Sequence, residues 1–384
     1  MTRIATVVGI CALALLNCTP AQDAQGEVFD SELGRYRVDT VADGLSYPWA
    51  IEFMPDGRLL VTEKSGSLRI VSPDGKVSAP VAGVPEVVAR GQGGLLDVAV
   101  HPDFDRNRLV YLTYTEGGPD GTNSTAASRG RLSEDGRRLT DVELVFRQEP
   151  KLSGSKHYGS RLVFAPDGHI FITTGERSDD EYRVQSQDLG SLLGKVVRLN
   201  PDGSVPADNP FVGRDGARPE IWSYGHRNVQ GADINPESGK LWTIEHGPRG
   251  GDEINIPAPG ANYGWPVVSH GINYSGSPVG SGLKQMAGMV DPIVTWTPVI
   301  APCGMRFYAG TMFPAWRGNL FIAGLRSRAL VRLELDGERV VHEERLLLPL
   351  NLRLRDVAVG PDGAIHVISD ERNGRLLRLS AEGG

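Results

Sequence analysis

Cysteine is nearly absent from this chain, with three in 384 residues. Two of them, Cys11 and Cys18, fall in the first eighteen positions. If that segment is removed on export, Cys303 stands alone, and no intramolecular disulfide is possible. A lone packed thiol is the expectation for Cys303, not a nucleophile. Clustered positive charge is also missing. The net charge is −7 with both signs spread along the chain, which argues against nucleic acid as a partner. No sustained helical periodicity follows residue 30, so a helical bundle is excluded. The one long apolar run, Ile4 to Leu16, is too short to span a bilayer.

That run follows a single Arg and reads as a signal peptide, residues 1–21. Cys18 stands where a lipoprotein cysteine would sit, after an unfavourable Asn17. Cleavage after Ala21 is the alternative. The protein is therefore expected to be periplasmic or secreted, either lipid-anchored at Cys18 or free. Residues 22–34 read as a linker, and 35–384 as one domain.

Glycine and proline are plentiful, 48 and 26 residues, and they punctuate short apolar runs. One pattern recurs six times: apolar strand, Pro-Asp-Gly-like turn, apolar strand. It appears as "AIEFMPDGRLLVTEK", "DVAVHPDFDRNRLVYLTY", "RLVFAPDGHIFITTGE", "GADINPESGKLWTIEH", "RFYAGTMFPAWRGNLFIAG" and "DVAVGPDGAIHVISDE". Further strands follow several copies. The fold class expected is all-β, a six-bladed β-propeller of four-stranded antiparallel blades. The final "GRLLRLS" is expected to share a blade with "RYRVDTV". Asp56, Asp167 and Asp362 are expected to shape turns.

If the Pro-Asp-Gly turns mark the bottom, the start of each inner strand and the end of each second strand lie at the top. Those positions carry Gln92, His157, Arg227 with Asn228, and Arg353 with Arg355. Arg326 and the loop "EHGPRGGDEIN", Glu245 to Asn255, point to the same mouth. Several guanidiniums suit a ligand with several carboxylates or phosphates. Glycine-exposed carbonyls, with Asp252 and Glu253, suit Ca²⁺. His157 suits a general base near neutral pH. Trp49 and Trp296 either line the mouth or pack.

The motifs "GQGGLLDVAVHPDF", "HYGSRLVFAPDG", "GHRNVQG", "EHGPRGGDEIN…NYGWP" and "LRLRDVAVGPDG" together resemble those of the soluble quinoprotein glucose dehydrogenases and aldose sugar dehydrogenases. The resemblance covers essentially all of the chain after the signal. It implies a six-bladed propeller that binds pyrroloquinoline quinone (PQQ) and Ca²⁺ at its top. It also implies oxidation of the C1 hydroxyl of aldoses to lactones, with electrons passed to an external acceptor. By the same resemblance, His157 takes the hydroxyl proton, and Arg227 stabilises charge on the quinone oxygens. Gln92 and Asn228 contact cofactor or substrate. Arg326, Arg353 and Arg355 pair with the PQQ carboxylates. The Gly247 and Pro248 carbonyls hold the cofactor's Ca²⁺, and Glu253 with the Tyr263 carbonyl match a second, structural Ca²⁺.

Three positions depart from the glucose dehydrogenases: Arg326 replaces Lys, Lys156 replaces Asp, and His246 replaces Gln. The segment from Asn273 to Trp296 is also short, and an open cleft favours broad aldose use over strict glucose use. Two other classes compete with this reading. A Ca²⁺-dependent propeller lactonase would need no triple-arginine cradle. A non-catalytic extracellular propeller binding sugar or protein would need neither His157 nor the Arg227–Asn228 pair.

Overall fold

In the computed structural model, which describes residues 26–382, the Pro-Asp-Gly turns close as side-chain-capped turns. The Asp56, Asp167 and Asp362 carboxylates accept from the backbone N–H two residues on, at 3.1, 3.1 and 3.0 Å. The glycine after each adopts positive φ, 83°, 89° and 82°, a region that glycine enters without strain.

Each turn joins an inner strand to the next, and six antiparallel sheets result. Blade one holds Pro48–Phe53, Leu59–Glu63 and Ser67–Val71. Blade two holds Leu95–Val100, Leu109–Gly117, Asn123–Leu132 and Leu139–Arg147. Blade three holds Gly159–Phe164, Ile170–Thr174, Lys195–Leu199 and Ile221–Tyr224. Blade four holds Val229–Ile234, Leu241–Glu245, Asp252–Asn255 and Val294–Trp296. Blade five holds Pro302–Phe307, Leu320–Gly324, Ala329–Asp336 and Arg339–Leu346. Blade six holds Leu354–Val359, Ile365–Ser369 and Gly374–Ala381, and then Gly34–Leu45 from the start of the domain.

The six-bladed propeller is thus as expected, and so is its closure: Val38 pairs with Leu379 and Thr40 with Leu377. Two blades depart from four strands. Blade one has three, with only a Val71–Val77 bridge beyond them. Blade six gains a fifth, because Glu27–Ser31 forms a hairpin with the closing strand. Part of the stretch expected as a linker is therefore an edge strand. The signal segment and Cys18 lie outside the described residues. Among the described residues no helix is long and apolar enough to cross a membrane.

Six apolar clusters hold the ring, one at each junction between neighbouring blades. Burial of apolar side chains between facing sheets is the main stabilising term. The cluster between blades three and four is the smallest, with four buried members: Phe171, Val196, Ala232 and Leu241. A cavity of about 650 Å³ opens there, lined by Phe171, Trp222 and Leu241 among others.

Charged groups staple the inner strands around the axis. Asp356, Asp97 and Asp233 accept the backbone N–H of Ile51, Leu162 and Phe307 in the next blade, at 2.9, 2.7 and 2.8 Å. Arg161 lies between Asp97 and Asp356, at 2.7 and 3.3 Å. Burial pushes the Asp97 carboxyl up to about 7 despite that guanidinium. The inner-strand starts lie just above this layer, at the top end.

Candidate active site

His157 precedes the inner strand of blade three with a left-handed backbone, φ 50°. That conformation is costly outside glycine, and neighbours on each side fix it. Its N–H donates to Gln92 Oε1 at 2.8 Å. Arg177 Nε donates to the Lys156 carbonyl at 3.0 Å, and Thr125 Oγ1 to the Tyr158 carbonyl at 2.6 Å. Gly175 passes so close that a Cβ would lie 2.2 Å from the His157 carbonyl oxygen.

The imidazole Nδ1 lies 2.7 Å from Glu176 Oε2, and both residues are buried. Glu176 ends the second strand's run, "TTGE", so it stands at the top by the same rule that places Glu245. Its type and place were legible, but it was not among the expected residues. Burial pushes the His157 pKa below its ordinary value, although the Glu176 charge works the other way. Burial raises Glu176, but the His157 and Arg227 charges outweigh that and hold it below the usual carboxylate value. The pair therefore presents a neutral imidazole at neutral pH, with Nε2 free of Glu176.

Blade four supplies Arg227 and Asn228. The Arg227 N–H donates to Glu245 Oε2 at 2.5 Å, and His226 Nδ1 lies 2.9 Å from Glu245 Oε1. The His226 ring stacks on Tyr263 at 4.8 Å. The Arg227 guanidinium lies over Trp265, 5.1 Å from its centroid, and donates to the carbonyls of His246 and Gly247 at 2.9 and 2.7 Å. Asn228 Oδ1 accepts from Gly159 N–H at 3.1 Å. That bond ties blade four to the strand that follows His157.

The glycine-rich loop is folded by Asp252. Its oxygens accept from the N–H of Gly247 and of Ala301, at 2.8 and 2.7 Å. It therefore holds the loop, with one accepted N–H bond on each oxygen. Burial pushes its carboxyl up to about 6. A Cβ on Gly247 would meet the Gly250 carbonyl oxygen at 2.3 Å, so the loop closes only around glycine. Glu253 pairs across the strands with Glu245, and burial together with that neighbouring charge pushes it up to about 8. Gly247, Pro248, Glu253 and Tyr263 share one small cavity with Arg227 and His246. Among the described residues no three His, Cys, Asp or Glu side chains converge to hold a metal. Any cation here would depend on carbonyl oxygens beside Glu253.

Arg353 and Arg355 lie together, as strand alternation predicts. Both reach Asp370 Oδ2, at 2.9 and 3.1 Å, a partner not anticipated. Arg355 also donates to Gln230 Oε1 at 3.1 Å and Cys303 Sγ at 3.3 Å. Cys303 is a free, buried thiol, packed as expected, and burial pushes it up to about 11. With Trp49, Gln92 and His246 these arginines line a cavity of about 200 Å³. Arg326 does not join them: it is exposed, while its neighbour Leu325 forms the wall. Trp296 packs between blades four and five, its Nε1 on Glu343 at 2.7 Å, away from the mouth.

Buried Nε atoms of Arg227 and Arg355, and Nε2 of His246, have no hydrogen-bond partner among the described residues. Leaving such groups unmatched is costly, and an anion with several oxygens would satisfy the guanidiniums. The donor set therefore fits PQQ. Gly247 fits Ca²⁺ less simply, because Arg227 already donates to its carbonyl.

A family model described as "Glucose / Sorbosone dehydrogenase" matches residues 45–378. The chain belongs to the glucose/sorbosone dehydrogenase family. Within it, the aldose sugar dehydrogenase YliI of Escherichia coli (strain K12) is 47% identical over 345 residues, 89% of this chain and 92% of the relative. A crystal structure of a glucose dehydrogenase aligns at TM-score 0.87 with 49% identity, covering 90% of this chain and 99% of that one. The PQQ-bound aldose sugar dehydrogenase of Streptomyces coelicolor aligns at TM-score 0.73 with 30% identity, over 89% and 98%.

Proposed function

We propose that this member of the glucose/sorbosone dehydrogenase family is a PQQ- and Ca²⁺-dependent aldose dehydrogenase, acting after export from the cytoplasm. It would oxidise the C1 hydroxyl of aldoses to lactones. The observation that carries the reading is the buried His157–Glu176 pair, with Arg227 among the charges acting on both members. When bound, PQQ supplies a two-electron hydride acceptor and Ca²⁺ a Lewis acid to polarise it.

The chain's own residues do the rest. Glu176 holds the imidazole through Nδ1, leaving Nε2 to accept the C1 hydroxyl proton as the C1 hydride departs. The depressed His157 pKa keeps that nitrogen unprotonated at neutral pH. Arg227 places positive charge where negative charge develops. Gln92 fixes the His157 backbone, so its role is first of all positional. Arg353 and Arg355 hold cofactor carboxylates with Asp370 as a counter-charge, and Arg326 would close over the cofactor from the rim. Glu253 and the Tyr263 carbonyl would hold the structural Ca²⁺. A further cavity, about 280 Å³ and lined by Glu176, Arg227, Trp265 and Tyr274 among others, would give the sugar its approach.

The decisive experiment is reconstitution of metal-free protein with PQQ and Ca²⁺, followed by dye reduction with a panel of aldoses. Activity that needs both additions and disappears in His157→Ala supports the reading. Failure of PQQ to bind would instead favour a non-catalytic binding propeller.

A further inference from the structure

Along the flanks of the blades the basic side chains are neutralised locally, as in Arg129–Glu143, Arg147–Glu116, Arg345–Glu343 and Arg378–Asp362. The top differs. Lys64, Arg328, Arg372 and Arg375 stand at strand ends or loops on the top of blades one, five and six, and none forms an ion pair among the described residues. Arg328 and Arg372 are exposed, and Lys64 and Arg375 half-buried. Lys64 lies over the half-open ring of Tyr47, 5.8 Å from its centroid. Against these four stand Asp43 and Glu371 in the same sector. A chain of net charge −7 thus gathers unpaired positive charge on one arc of one face. The acids Asp120, Asp179, Asp180, Glu181 and Asp188 lie in the top loops of blades two and three, outside the arc. Arg326 at the rim and Arg353 in the cradle are not needed to make it basic.

The arc borders the Gln92–Arg353–Arg355 cavity, since Lys64 is one of its walls. A patch that only held substrate would have no use for charge, because aldoses are neutral. We propose that this arc docks an acidic, one-electron electron-transfer protein over the mouth. The proposal rests on the dehydrogenase reading above. Each lactone formed releases two electrons and two protons. Two carriers would take the electrons in turn, one each, and the protons would pass to solvent. Opposite charge would steer the carrier and raise its association rate, with the strong salt dependence of such encounters.

The test uses one haem protein in two charge states: cytochrome c, which is basic, and the same protein with its lysines succinylated. Protein loaded with PQQ and Ca²⁺ is reduced by an aldose, and the second-order rate to each carrier is measured. At low salt the succinylated carrier is expected to react at least about tenfold faster. Most of that advantage should vanish near 1 M salt, where the screening length falls to about 3 Å. The double variant Arg328→Glu/Arg372→Glu should lose at least about fivefold of that rate, with reduction of an uncharged dye unchanged. Equal rates for the two carriers, or a double variant that behaves as the native chain, would overturn the proposal. If no aldose reduces the uncharged dye, the dehydrogenase reading has failed, and docking is then read from equilibrium binding of succinylated cytochrome c to the unloaded protein. Salt-sensitive binding, weakened in the double variant, would uphold the arc. No binding, or binding only to anionic phospholipid vesicles, would overturn it.

Discussion

His157 Nδ1 and Glu176 Oε2 meet at 2.7 Å, one residue preceding the inner strand of blade three and the other following its second strand. The contact fixes which imidazole nitrogen is free. His157→Ala is expected to lower kcat by about 10²–10⁴-fold, the range of a positioned general base. Glu176→Gln keeps shape and loses charge, and should cost at least about tenfold, with little change in KM. Steady-state kinetics on the reconstituted protein would check both, and a Glu176→Gln protein with native kcat would remove Glu176 from the mechanism.

The pH profile gives a second test of the same pair. The base must be unprotonated, so kcat/KM should rise with pH and level off once His157 has lost its proton. Burial depresses that pKa below its ordinary value, and the Glu176 charge raises it. Removing the charge should therefore move the acid limb of the profile to lower pH. A limb that moves upward in Glu176→Gln would contradict the assignment.

Asp252 is predicted to be a loop-folding residue. Asp252→Ala strands the N–H groups of Gly247 and Ala301 inside the protein, at about 1–3 kcal/mol for each unsatisfied group. Denaturant unfolding should show the loss, and titration calorimetry should show weaker Ca²⁺ binding. Asp252→Asn, which keeps one acceptor, should lose less of both.

At the axis, Arg161→Leu would leave Asp97 and Asp356 facing one another without their shared cation. Breaking a buried pair in this way costs roughly 3–5 kcal/mol. Adding Asp97→Asn should recover part of it, since one of the orphaned charges is then gone. Equal stability of the single and double variants, measured by urea unfolding, would refute the coupling.

Much of this was legible in the residues because a propeller repeats. Each Pro-Asp-Gly turn marks one bottom corner, so the top of every blade follows by counting along alternating strands. That is how Gln92, His157, Arg227 and Arg355 come together from four blades. Glu176 obeys the same count but carries no motif of its own. Its role shows only when its distance to His157 is known. Asp370 was hidden similarly, since nothing local pairs it with Arg353 or Arg355. Arg326 lies at the expected strand end, but side-chain direction in a tight turn does not follow from position. The strand Glu27–Ser31 escaped notice because it lies at an outer edge, largely exposed, and has no clear apolar alternation.

The thinnest of the six junctions lies between blades three and four, with His157 on one side and Arg227 on the other. A ring sealed unevenly breathes first at its lightest seam, since local opening follows local packing. Here that seam divides the base from the charge that serves it. Heating should therefore abolish turnover at temperatures where the strand circular dichroism is still intact, and filling the seam, rather than thickening any other, is the route to a catalyst that tolerates heat.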